Sequence, residues 1–136
     1  MLSLAKAKQA IEASEKKAQE LGIAVSTAIV DDHGTLIALS RMDGALYASP
    51  RFAFVKASTA AQLRLPTEKI GQFTGEGKPY FGLNTLFGGE FTPMAGGLPV
   101  VLDGKIIGAV GVGGSKDVSQ DVTCAQEAKA MLEKAH

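Results

Sequence analysis

The chain has 136 residues, 46% of them hydrophobic and 21% charged, with 14 basic and 14 acidic side chains and a net charge of zero. That is enough sequence for one folded domain and not for two independent cores. The composition argues against disorder, and the balanced charge gives no general attraction to nucleic acid or to an anionic membrane.

One cysteine, Cys124, excludes an intramolecular disulfide. One cysteine and two histidines cannot close a structural zinc site within one chain. The N-terminal segment carries lysines throughout and has no apolar run suited to a signal peptide, and no stretch approaches a membrane span. The expectation is a soluble cytoplasmic protein with no nucleic-acid or membrane partner, folded as a single domain over 1–136.

In chain order, the first 22 residues read as a helix. Leu4, Ala7, Ile11, Ser14, Ala18 and Leu21 recur at intervals of three and four, with Ser14 at the edge of the stripe. Ser3 suits the N-cap and Gly22 the C-terminal stop. Residues 23–30 then alternate as a strand. Ile23, Val25, Thr27 and Ile29 lie on one face; Ala24, Ser26, Ala28 and Val30 form a smaller face suited to close packing against a helix. Asp32-His33-Gly34 reads as a turn into a second strand, Leu36 to Met42, which makes a hairpin.

A second helix is predicted from Ser49, as its cap, to Leu65, with Pro50 at its first position. Phe52, Val55, Thr59 and Gln62 share one side; Phe54, Ala57, Ala61 and Leu65 share another. Pro66 ends it, and Thr67 is placed as the cap of a short helix. From Gly71 to Gly97 the chain becomes rich in glycine and in aromatic residues, as expected of a functional or interfacial loop. Asp103-Gly104 between two apolar runs is a two-residue hairpin turn. Gly108, Gly111 and Gly113 mark places where a helix or another backbone can come close. A last helix starts near Asp117 or Ser119 and buries Val118, Val122, Ala125, Leu132 and Ala135. Paired hairpins with helices at both ends and in the middle point to an α+β layered fold.

Several motifs are incomplete. Gly111-Val112-Gly113-Gly114-Ser115-Lys116 lacks the third glycine and the βαβ context of a dinucleotide site, although its backbone N–H groups near a helix start can hold an anion. Gly77-Lys78 is followed by proline and is no P-loop. Arg41-Met42-Asp43-Gly44-Ala45 places a cation, a thioether and a carboxylate together at a strand end. Arg41 can clamp a carboxylate or a propionate, with Ser49 and Lys56 within reach on the next helix; alternatively Arg41 and Asp43 simply shape the turn. His33 is the local candidate for a haem-iron ligand, or else plain turn polarity. Cys124 reads as a buried structural thiol.

The hairpin AIVDDHGTLIALSRMDGA, the segment SPRFAFVKASTA, the run GGLPVVLDGKIIGAVGVGG and the helix start QDVTCA together resemble the GlcG/HbpS-like family. That family is also met as the C-terminal domain of PduO-type proteins. The resemblance spans the whole chain. It implies a profilin-like or PAS-like fold, with a five-stranded antiparallel sheet flanked by helices. It implies a homo-oligomer and, for some members, haem. Other members belong with glycolate, diol or glycerol utilisation. The family pattern falls on Arg41, Met42, Asp43, Ser49, Lys56, Gly96, Gly97 and Gly113 as pocket or interface positions.

Three functions follow as expectations. The first is a small-ligand-binding protein that takes haem or a related tetrapyrrole. The second is an enzyme or binding subunit for a small carboxylate or diol-pathway metabolite. The third is a structural subunit of an oligomer. No activated nucleophile or paired base stands out to identify a catalytic residue.

Overall fold

The computed structural model describes residues 1–134; Ala135, expected on the last helix stripe, lies outside them. At its centre is strand β1 (Ser26–Asp31), buried on both faces. It pairs antiparallel with β2 (Leu36–Arg41) on one side and with β4 (Lys105–Gly113) on the other; β3 (Gly97–Leu102) pairs with β4. The order β2-β1-β4-β3 makes a four-stranded sheet. The fifth strand that the resemblance implies is not seen among the described residues. Between the second helix and β3, the glycine-rich chain folds into short 3₁₀ turns over Gly71–Phe73 and Leu83–Gly88 and offers no extended run to pair.

Helices cover both faces of the sheet. Helix α1 (Leu4–Leu21) begins as expected, with the Ser3 hydroxyl accepting the Lys6 N–H, and ends at Gly22 in the left-handed region at φ 73. Its buried face is Ala7, Ala10, Ile11, Ser14 and Ala18, whereas Leu4 and Leu21 are exposed. Ser14 is at the centre of that face: its hydroxyl shares a buried hydrogen bond of 2.8 Å with Thr27. Helix α4 (Val118–Glu133) packs beside α1 on the same face, capped by Asp117. Val25, Ile29, Val100, Val110 and Val112 meet these helices in the larger core. Val118, expected to be buried, is exposed. Near the end of α4, Lys129 donates to the Pro99 carbonyl and Glu133 accepts the Val101 N–H, closing the outer edge of β3.

Helix α2 (Ser49–Leu63) covers the opposite face, against the small side chains of β1. Its buried residues include Ala53, Lys56, Ala57, Ala60 and Ala61, with Phe54 packed against them, so the predicted side through Ala57 and Ala61 lies in the buried face and the one through Phe52 and Val55 does not. Ser49 does not cap it. Ala48 is the N-cap, and the Ser49 hydroxyl instead bonds Ser26 at 2.7 Å inside the protein. Thr67 is likewise the first residue of the short helix α3 (Thr67–Ile70) rather than its cap; its buried hydroxyl accepts the Gly97 N–H at 2.9 Å. The β3–β4 turn is as expected, with Asp103 at φ 52 and Gly104 at φ 76.

Candidate ligand-binding groove

The glycines of β3 and β4 bring α2 down onto the sheet. A Cβ on Gly111 would overlap the Ala53 carbonyl oxygen, and one on Gly97 would overlap that of Lys56. On Gly113 it would lie 2.6 Å from the Phe52 Cβ. The space beside these glycines is therefore filled by the helix itself, which is the close approach their positions suggested. With the small residues turned down, Arg51, Phe52 and Val55 are left along the flank of α2.

Beneath this contact lies a feature the sequence did not announce. Lys56 is 1% exposed, and its Nζ donates to the Val112 carbonyl at 3.0 Å and to Asp121 Oδ2 at 3.1 Å. Asp121, also 1% exposed, accepts the Ser115 N–H through Oδ1 at 3.0 Å. A Cβ on Gly96 would sit 2.9 Å from Lys56 Nζ, so glycine is needed there to leave room for the ammonium group. Burial pushes the Asp121 carboxyl up, against the opposing pull of the Lys56 charge and the Ser115 N–H. The pair ties α2 to α4 across the end of β4. At the GlyGlySerLys turn, where an anion was expected, the N–H of Ser115 is taken by Asp121, and those of Asp117 and Ser119 just beyond are taken by Ser115 and Asp117.

Above Lys56, the flank of α2 and residues 84–94 form a groove of about 450 Å³. Phe52, Val55, Phe91 and Met94 give it an apolar lining, with Arg51 and Glu90 among its polar residues. Its outer wall turns through Phe87, Gly88 and Gly89, at φ 52, 69 and 85. Phe87 meets Phe91 edge-on, with ring centroids 5.3 Å apart. The wall is tied to α2 where the Thr92 N–H donates to Thr59 Oγ1 at 3.1 Å.

The sequence-predicted residues fall in three places. Ser49, Lys56, Gly96, Gly97 and Gly113 gather around α2; of these, Lys56 lines the groove. Arg41, Met42 and Asp43 line a separate polar groove with Glu15 and Gln19. There Arg41 stacks over Tyr47 at 5.8 Å, and Met42 Sδ accepts the Val25 N–H at 3.4 Å. His33 stands at the tip of the β1–β2 hairpin with its side chain 83% exposed, 3.3 Å from Asp32. From Leu36 to Arg41 the strand alone spans roughly 17 Å, so His33 and Arg41 occupy opposite ends of the hairpin. Asp31, Asp32 and His33 do cluster at that tip, and Asp31 Oδ1 is already engaged by the His33 and Thr35 N–H groups.

Residues 2–130 match the family described as haem-degrading protein HbpS-like. The chain belongs to the HbpS-like family. It is 39% identical over 127 residues to an uncharacterized 15.0 kDa protein in the dhaT-dhaS intergenic region of Citrobacter freundii, covering 93% of this chain and 89% of that one. It is 40% identical over 112 residues to protein GlcG of Escherichia coli K12, covering 82% and 81%. Of solved structures, the crystal structure of a PduOC:heme complex superposes with a TM-score of 0.91 at 32% identity, covering 98% of this chain and 99% of that one. No helix among the described residues is long and apolar enough to cross a membrane.

Proposed function

We propose that the protein binds haem or a related tetrapyrrole in the groove between α2 and residues 84–94. The observation that carries this reading is the likeness to PduOC, a relative of the same fold solved as a heme complex. The lining fits such a group: Phe52, Val55 and Phe91 offer apolar surface to a flat macrocycle, and Arg51 offers a cation for a propionate. When bound, haem supplies a redox-active iron. The chain's own part is to hold and orient the group, exclude water from one of its faces and supply the donor to the metal. Lys56 and the glycines beneath it keep α2 at the height that shapes the floor.

The polar groove at Arg41 fits a tetrapyrrole poorly. Glu15 and Asp43 share it with Arg41, and both also oppose a small carboxylate. Self-association is a second reading, supported by the exposed Tyr80, Phe81, Leu86 and Phe87. Light scattering on the purified chain tests it.

The haem reading is tested by titrating the full chain with hemin and following the Soret band. Val55→Trp fills the groove and should abolish saturable binding, whereas Arg41→Ala should leave it unchanged. Saturable binding lost in Arg41→Ala and kept in Val55→Trp would move the ligand to the other groove.

A further inference from the structure

This inference rests on the tetrapyrrole reading and concerns the metal. Protein ligands to haem iron are His, Cys, Met or Tyr. The groove lining contains no His, Cys or Tyr; it contains one Met, Met94. The other methionines are placed elsewhere. Met42 accepts the Val25 N–H, Met131 packs against the α1–α4 core, and Met1 is at the chain start. Met94 is 43% exposed, and among the described residues no hydrogen bond uses its sulfur.

Its backbone, by contrast, is fixed. The Met94 N–H donates to Thr92 Oγ1 at 3.1 Å, and the Thr92 N–H is itself held by Thr59 on α2. An unbranched, polarisable thioether thus swings from an anchored stem at the side of an apolar groove. The competing donors are weaker candidates. The Lys56 amine is occupied by Asp121 and Val112, and the exposed Glu90 carboxylate would lose its hydration against the apolar face of a macrocycle. We infer that Met94 is the iron ligand this chain offers to a tetrapyrrole in the groove, and that His33 is not.

The test is a hemin titration of the full chain and of Met94→Leu, Met94→His and His33→Ala, recording Soret and visible spectra at saturation. Leucine keeps the volume and apolarity of an exposed side chain, so the fold is retained, and circular dichroism checks this. The wild type and His33→Ala should give superimposable spectra. Met94→Leu should still saturate, several-fold more weakly and with a shifted Soret band. Met94→His should restore tight binding with a third spectrum, set by nitrogen ligation. If Met94→Leu saturates with the wild-type spectrum, Met94 is not the ligand while the groove reading stands. If the wild type does not saturate, the groove reading fails and takes this inference with it.

Discussion

Replacing Lys56 by Met removes the ammonium group and keeps the length and most of the volume of the stem. What remains is a carboxylate that is 1% exposed and keeps one hydrogen bond from Ser115, having lost the one from Lys56. Removing one partner of a buried ion pair destabilises a protein by about 3–5 kcal/mol. Lys56→Met should therefore lose about that much in urea unfolding at neutral pH, followed by circular dichroism. The loss should be pH-dependent, with a definite sign. A carboxyl whose folded pKa is raised favours the folded state below its unfolded pKa, and that contribution is lost as pH rises through the folded value. Burial already raises Asp121, and removing Lys56 raises it further. The difference between variant and wild type should thus shrink as pH falls into the carboxylate range. Lys56→Met/Asp121→Leu should recover most of the stability, since no buried charge is left. A loss below about 1 kcal/mol in the single variant, or no recovery in the double, would refute the assignment of an energetically coupled pair.

Further outcomes follow from burial and packing. Cys124 is fully buried, and burial pushes its thiol to about 11 from an ordinary 9.0. The raised value stabilises the fold below pH 9, and that contribution is lost as pH rises from 9 through about 11, by up to ~3 kcal/mol. Cys124→Ala should lack this component when unfolding is compared across that range, and the native thiol should resist alkylation until the chain unfolds. Gly111→Ala would drive its Cβ into the Ala53 carbonyl and should cost ~3 kcal/mol or prevent folding. Gly75→Ala meets only ordinary contact at 3.8 Å and should change stability by less than about 0.5 kcal/mol in the same unfolding assay.

The parts legible in the sequence are those fixed by neighbours along the chain. Ser3 and Gly22 bound α1, and Asp103-Gly104 turns the last hairpin, because each needs only a few adjacent residues. The small face of β1 and the glycines of β4 announced a close helix. Which side of α2 faces them was legible in part: Ala57 and Ala61, read on one side with Phe54, are buried there. The other side, read through the large Phe52 and Val55, is turned away because the closest approach of helix and sheet selects small residues, Ala53 and Ala60 along with Ala57. Phe52 and Val55 are thereby left to line the groove. Asp121 was missed as the partner of Lys56, since 65 residues separate the two. The one available signal is that a lysine among the small residues of a core helix needs a partner if it is buried. Arg41 as a propionate clamp and His33 as an iron ligand would have to meet at one haem, but strand geometry places them at opposite ends of the hairpin.

The proposed function and the role given to Met94 both depend on where the ligand sits. Hydrogen exchange of the full chain, with and without hemin, tests it most directly. Added protection should be confined to residues 51–56 and 84–94, with the β1–β2 hairpin tip and the Arg41–Asp43 groove unchanged. Protection appearing at residues 31–43 and absent from 84–94 would contradict this placement.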